Sequence, residues 1–413
     1  MSVHAPALGV PLRVRENARA HLWHIAIALV FTAVMAFLGL LGFAFSDYDV
    51  EASAAFWALR TGDLEGFLAT VPAYGGSFVL RAPFAWAPAL WAGGELAVFR
   101  AVSLPGLAAC AGLAVFVAGR MREMGRSRLD RVVVLGALTA SPAALSALWV
   151  GHPEELLGGA LCVAGVLAAR TRPIVAGVLV GLAVANKPWA LVAVPVVLAA
   201  VPARSALPSA LACGAVAGAV LAPLLLFGGG FAQATVMAGD TGAIFQPWQA
   251  WFLLGEPGFL HEQMGYGVRE LRHAPEWLMA LTRPLILGVG AVAAGLWWWR
   301  RRSVSSAYEP LLLLALVLHV RCWLDPWNFS YYALPALLAL AAWEGLERRD
   351  RPPVLTLAFI AVHWLTFEHA ERVLGADGAS VVYLAWALPL TGWMVHRLLL
   401  GRSSTSRAFL VRG

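Results

Sequence analysis

The sequence predicts an all-α, polytopic membrane protein: a bundle of about twelve transmembrane helices, both termini cytoplasmic, with interfacial helices on the external side. Three observations predict it. The chain is 60% hydrophobic with a mean hydropathy of +0.73, only 13% of its residues are charged, and apolar runs of membrane-spanning length follow one another along nearly all 413 residues. A soluble multidomain protein is excluded. The formal charge of +6 does not indicate nucleic acid, because the arginines sit in short clusters between apolar runs rather than along one stripe. The four cysteines, Cys110, Cys162, Cys213 and Cys322, lie in or at the ends of apolar runs without CxxC spacing, so neither a disulfide framework nor a zinc site is indicated.

Taken in order, residues 1–20 carry Arg13, Arg15 and Arg19 and lead into a first apolar run, His21 to Phe45, too long for a cleaved signal and read as a retained span. Residues 46–100 begin acidic and are interrupted by Gly and Pro, which predicts an external loop with interfacial helices. The Ala82–Ala92 piece is not counted as a span, since that would put the basic run at 120–131 outside. The remaining spans are expected at about 101–119, 132–149, 154–169, 173–184, 188–201, 206–227, 277–299, 309–324, 331–346, 353–367 and 379–399. With that topology, 21 of the 30 Lys and Arg residues fall on the cytoplasmic side, counting Arg397 at the cytoplasmic end of the last span, as the positive-inside rule requires. Residues 173–184 and 188–201 are too short to cross about 30 Å of hydrocarbon at ~1.5 Å per residue, which predicts two half-helices broken at Asn186-Lys187-Pro188 beside a protein-lined cavity. Residues 228–276, rich in Gly, Pro and aromatics, predict a second external loop with a lid or binding role. The polar tail 401–413 is expected to be disordered. The whole chain is read as a single transmembrane domain, with its catalytic loops at 46–100 and 228–276.

The polar residues gather on the external side of this topology. Asp47, Asp49 and Glu51 follow the first span; in helical geometry Asp47 and Glu51 share a face while Asp49 points away. A carboxylate at a membrane boundary suits a general base, and a solvated loop start is the plainer alternative. His152-Pro153-Glu154-Glu155 opens a span: Pro153 and the two carboxylates suit a helix N-terminus, whereas His152 is not needed for capping and the pattern is not HExxH. Lys187 is the chain's only lysine. Next to a Pro-broken half-helix it suggests a point charge directed at an anion such as phosphate, against the alternative of a snorkelling side chain. Arg81, Arg269, Arg272, His273 and Arg321 add external cations. Asp325, Trp327, Asn328, Tyr331 and Tyr332 combine rings and hydrogen-bonding groups of the kind that hold sugars, although an interfacial aromatic belt also accounts for the rings.

These motifs resemble the GT-C superfamily of integral-membrane glycosyltransferases, and most of all the family-87 polyprenyl-phosphate-sugar-dependent mannosyltransferases of actinobacteria. The resemblance is carried by SDYDVEASAAFWALRTGDL (46–64), RAPFAWAPAL (81–90), GHPEE (151–155), AGVLVGLAVANKPWAL (176–191) and YYALP (331–335), with GLAVANKP its most specific part. It implies a GT-C-type helix bundle in a bacterial plasma membrane and an extracytoplasmic active face. There a hexose, by resemblance mannose, passes from a polyprenyl-phosphate donor to a lipid or polysaccharide acceptor. On that resemblance Asp47 is the base, with Asp49 or Glu51 as substitutes. Lys187, with Arg269, Arg272 and His152, holds the donor phosphate, and Glu154, Glu155, Arg81, Asp325, Trp327, Asn328, Tyr331 and Tyr332 line the substrate site. The Gly-polar motif departs from the family, which often carries Gln or Asn where this chain has His152 and a Glu pair. Asp47-Tyr48-Asp49 has the DxD form that binds a divalent metal in some relatives; no cofactor is expected here and a metal is not favoured. The rival reading is a lipid-linked-saccharide flippase or another secondary transporter. The absence of repeat symmetry and the one-sided polar groups weigh against it.

Overall fold

The computed structural model describes residues 12–41, 46–91, 93–228, 231, 244–260, 269–273, 275–300, 306–348 and 351–400. The tail 401–413 and loop residues such as Asp240, His261 and Glu262 lie outside the described residues.

Every apolar run read as a span folds as helix where it is described. The helices are α1 (Leu12–Ala36), α2 (Ser53–Thr61), α3 (Leu64–Thr70), α4 (Gly75–Trp86), α5 (Glu95–Glu123), α6 (Arg128–Thr139), α7 (Pro142–Val150), α8 (Glu154–Ala168) and α9 (Pro173–Asn186). They continue as α10 (Ala193–Ala200), α11 (Ala206–Phe227), α12 (Glu276–Arg300), α13 (Glu309–Leu324), α14 (Leu334–Glu347), α15 (Val354–Leu365) and α16 (Glu371–Val395). Among the described residues, six helical stretches are long and apolar enough to cross a membrane: His21–Leu41, Glu95–Glu123, Arg128–Val150, Ala203–Phe227, Glu276–Arg300 and Val354–Leu399. The fold is thus helical and polytopic, with fewer stretches of crossing length than the twelve apolar runs.

Length and burial explain the difference. Four of the crossing stretches are mostly unburied, Ala203–Phe227 only 11% buried, whereas Glu95–Glu123 and Arg128–Val150 are 56% buried and border the core. The short helices form the interior: α13 and α14 are apolar around most of their circumference and buried along nearly their whole length. α8 packs against α5, α9 and α14, which sets its N-terminus among protein rather than lipid. α5 begins at Glu95, six residues before the expected span, with an acidic side chain in its first turn where the macrodipole favours one. Residues 46–91 form α2, α3, α4 and short π and 3-10 turns packed against the bundle.

One element departs from the all-α expectation. The second loop contains a small antiparallel sheet, β1 (Ile244–Phe245), β2 (Glu256–Leu260) and β3 (Arg269–His273), in the order β1-β3-β2. Its strands are two to five residues long and β2 carries Pro257 and Gly258, so no alternating pattern of useful length exists in the sequence.

Glu344, fully buried in α14, caps a different helix. Its Oε1 accepts from Leu355 N at 3.0 Å, and its Oε2 accepts from Thr356 N at 2.8 Å and Thr356 Oγ1 at 2.9 Å, so one carboxylate takes orphan donors of the first turn of α15. Glu344→Ala strands those donors and is expected to lower stability by about 2–4 kcal/mol. A thermal unfolding scan of detergent-solubilised protein should show it as a reduced Tm; an unchanged Tm would contradict the capping role.

Candidate active site

The site is assembled at three breaks in the helical pattern. The first is Gly151, which ends α7 with φ 95° and lets the His152 amide donate to the Ala147 carbonyl at 2.7 Å, an αL termination. A side chain there would also meet Tyr48 N at 2.5 Å and Ser46 Oγ at 2.8 Å. Glycine therefore serves twice: it turns the chain, and it lets the segment bearing Asp47 lie against His152. The Ser46 amide donates to Asp49 Oδ2 at 2.9 Å, and the Asp49 amide to the Ser46 carbonyl at 3.0 Å, which fixes that turn and directs Asp49 to the backbone. The short π-helical turn Tyr48–Ala52 then sets Glu51 on the same side as Asp47.

The second break is the start of α8, where Pro153 precedes Glu154 and Glu155 and both carboxylates enjoy the positive end of the macrodipole. The third is Lys187. Pro188 disfavours the α region for the residue before it, and Lys187 is extended (φ −156°, ψ 131°), so α9 stops at Asn186. Asn186 Nδ2 donates to the Glu154 carbonyl at 2.8 Å, tying the end of α9 to the head of α8. Gly158 permits the approach, since a Cβ on it would sit 2.9 Å from Asn186 Nδ2 and 3.1 Å from Trp189.

Together these breaks build a buried ion network. Glu154 Oε1 takes hydrogen bonds from His152 Nδ1 at 2.7 Å and Lys187 Nζ at 2.9 Å, while its Oε2 pairs with Arg81 Nη2 at 3.3 Å. Glu155 Oε1 pairs with Lys187 Nζ at 3.0 Å and accepts from Trp189 Nε1 at 3.1 Å. His152 Nε2 reaches Asp47 Oδ2 at 3.2 Å, and the Tyr74 hydroxyl donates to Glu51 Oε2 at 2.7 Å. Side-chain exposure grades from 0–1% at Glu155 and Glu154, through 6% at His152 and 13% at Lys187, to 39% at Asp47. Asp47 is therefore at the mouth and the glutamates at the floor.

Charge follows that gradient. Burial and Lys187 depress the His152 imidazole, but the charge of Glu154 and the hydrogen bonds that the ring donates to Asp47 and Glu154 outweigh them and hold its pKa up at about 9. Burial likewise opposes the Lys187 ammonium, and Glu154 and Glu155 overcome it, so its pKa is raised and the side chain stays cationic. Burial, then Glu51 and Glu154, push the Tyr74 hydroxyl well up, which keeps it a donor.

Aromatic rings wall the network. Lys187 Nζ lies 4.9 Å from the Tyr74 ring centroid and 6.0 Å from that of Tyr331, and the Tyr331 and His152 rings are 4.8 Å apart. Tyr332 covers the Arg321 guanidinium at 4.5 Å and Trp189 approaches it at 5.0 Å.

Of the residues singled out in the sequence, the structure brings together Asp47, Glu51, Arg81, His152, Glu154, Glu155, Lys187 and Tyr331, with Tyr332 adjoining through Arg321. Others are placed elsewhere. Arg272 is held by Asp377, with Nε at 2.9 Å and Nη2 at 2.8 Å, and by the Gly255 carbonyl, so its guanidinium organises the sheet instead of joining Lys187. Arg269 lies in β3; its side chain is outside the described residues. Asn328 bonds the Trp248 carbonyl at 2.6 Å and the Tyr383 hydroxyl at 3.0 Å, and Asp325 accepts from Trp327 N at 3.0 Å, contacts that shape the α13–α14 connection. Trp327 lies half-buried near Phe329. Tyr74, Asn186 and Trp189 were not singled out; Asn186 and Trp189 flank the Lys-Pro break, a signal that was available.

Fold and site define a polytopic helical membrane protein whose interior holds a compensated carboxylate–imidazole–ammonium network opening on a partly exposed acid. The sequence model of glycosyltransferase family 87 matches residues 74–326, more than half of the chain, and the chain belongs to that family. It is therefore a glycosyltransferase, taking a sugar donor and an acceptor. A comparison with curated proteins returns no match. The matched region holds Arg81, His152, Glu154, Glu155 and Lys187, whereas Asp47 and Glu51 precede it and join the site through geometry.

Proposed function

We propose that this glycosyltransferase moves a hexose, by resemblance mannose, from a polyprenyl-phosphate donor to a hydroxyl of a lipid or polysaccharide at the external face of a bacterial plasma membrane. The observation that carries the reading is the juxtaposition of Asp47 at the mouth with the Lys187 ammonium behind it, joined through His152 and Glu154. An ammonium has three N–H donors; Glu154 and Glu155 take two, which leaves one for a phosphate oxygen.

In the proposed reaction the acceptor oxygen attacks the anomeric carbon and its proton passes to Asp47. The bond from that carbon to the phosphate oxygen breaks with its electron pair, and polyprenyl phosphate leaves with the anomeric configuration inverted. Lys187, with the His152 imidazolium, stabilises the negative charge developing on the leaving oxygen. Tyr331 and Tyr74 supply ring faces for a pyranose. The external face is supported by the charge bias of the sequence, whose expected topology puts 21 of the 30 Lys and Arg residues on the opposite side.

The test is transfer of labelled sugar from synthetic polyprenyl-phosphate mannose, glucose or arabinose by membranes containing the full-length protein. Transfer from the mannose donor, absent from control membranes, is expected. No transfer from any of the three, combined with movement of labelled lipid across liposomes, would replace the proposal with the flippase reading.

A further inference from the structure

Asp47, Glu51 and His152 converge at the mouth of the site: one ligand atom from each lies within 4.8 Å of the others. We propose that these three side chains hold a divalent cation of the Mn2+ or Zn2+ class.

The first argument is charge. Glu154 and Glu155 are matched by Arg81 and Lys187, whereas Asp47 and Glu51 face His152 and the neutral Tyr74 hydroxyl. An ion taking Nε2 displaces its proton, and the two carboxylates with the resulting neutral imidazole carry two negative charges, which a divalent ion neutralises. The second is orientation. His152 Nε2 is aimed at Asp47, while Nδ1 is held by the buried Glu154 carboxylate at 2.7 Å. A carboxylate on the far nitrogen is the outer-shell arrangement that fixes ring and tautomer in metal-bound histidines. The Tyr74 hydroxyl plays the same part for Glu51. The third is distance: ligand atoms at about 2.0–2.2 Å from an ion stand about 3–4.4 Å apart, so a small rotation of the exposed Glu51 side chain closes the set. Imidazole with two carboxylates and no thiolate selects the borderline divalent ions.

The residues differ from those the DxD spelling suggests. Asp49 is engaged by the Ser46 amide, and Glu51 takes its place, one turn on and from the same face as Asp47. Ligation through one Asp47 oxygen leaves the other for the acceptor proton. The cation site does not depend on the sugar or lipid proposed above; its consequence for transfer does.

The experiment is Mn2+ titration of metal-stripped, full-length protein in detergent, followed by loss of the free-ion EPR signal, with Zn2+ as competitor. Wild type and Asp49→Asn are expected to bind alike, Glu51→Gln and His152→Gln to lose the site, and Tyr74→Phe to bind roughly tenfold more weakly. Glu51 is exposed, so its variant tests ligation without threatening the fold. Failure of the wild type to bind Mn2+ or Zn2+, or loss of binding in Asp49→Asn with retention in Glu51→Gln, overturns the proposal. Sugar transfer at full rate in EDTA by protein that binds neither ion overturns the cation site and leaves the transferase reading standing. Mn2+ bound by wild type and lost in Glu51→Gln, in protein that transfers no sugar, upholds the cation site while the transfer reading fails.

Discussion

Lys187→Ala is expected to abolish measurable sugar transfer and to destabilise the protein at the same time. The ammonium is the counter-ion of two glutamates that are 0–1% exposed, and its removal leaves Glu155, among the described residues, with the Trp189 indole as its direct hydrogen-bond donor. Breaking a buried pair from one side costs about 3–5 kcal/mol, because the stranded charge keeps its desolvation penalty without its partner. For the chemical step, the loss of a preorganised charge at the leaving oxygen is expected to lower kcat by roughly 10²–10³-fold. The two effects separate experimentally. Thermal unfolding and gel filtration in detergent report the first; transfer measured well below the reduced Tm reports the second. The double variant Lys187→Ala with Glu155→Gln removes one stranded charge and should recover part of the stability without recovering transfer. Recovery of both would make Lys187 a structural counter-ion only.

Asp47→Asn is expected to give the opposite pattern, with kcat reduced by about 10²–10⁴-fold and stability nearly unchanged. Its side chain is 39% exposed and meets His152 Nε2, from which an asparagine oxygen can still accept. Asparagine keeps shape and hydrogen bonding while losing the ability to take a proton, so a large loss of kcat with little change in KM isolates the base. A matching loss in Asp49→Asn would contradict the assignment, since Asp49 is turned toward the Ser46 amide.

Much of this was legible because membranes constrain sequences strongly. A backbone in hydrocarbon must satisfy its own hydrogen bonds, so apolar runs declare helices. The break at Asn186-Lys187-Pro188 could be read from the steric demand of Pro188 on its predecessor, and the extended Lys187 conforms to it. The Pro-Glu-Glu start of α8 followed from helix-end electrostatics. The pairing of Arg272 with Asp377 was not legible, because the two lie 105 residues apart and nothing local advertises the pair. The short sheet escaped because strands of two to five residues carry too little periodicity.

The amino-acid sequence by itself determined the helical membrane architecture, the broken half-helix and the identity of the unusual ionisable groups, since each follows from hydropathy, proline sterics or composition, all local quantities. Only the tertiary structure decided which groups act together. It brought Asp47 to His152 across 105 residues and turned Asp49 away. It also made Glu154 the common partner of Arg81, His152 and Lys187. The reason is physical: a buried charge must find its counter-charge within a few ångströms, and which one it finds depends on helix packing and on where a glycine such as Gly151 lets two backbones meet.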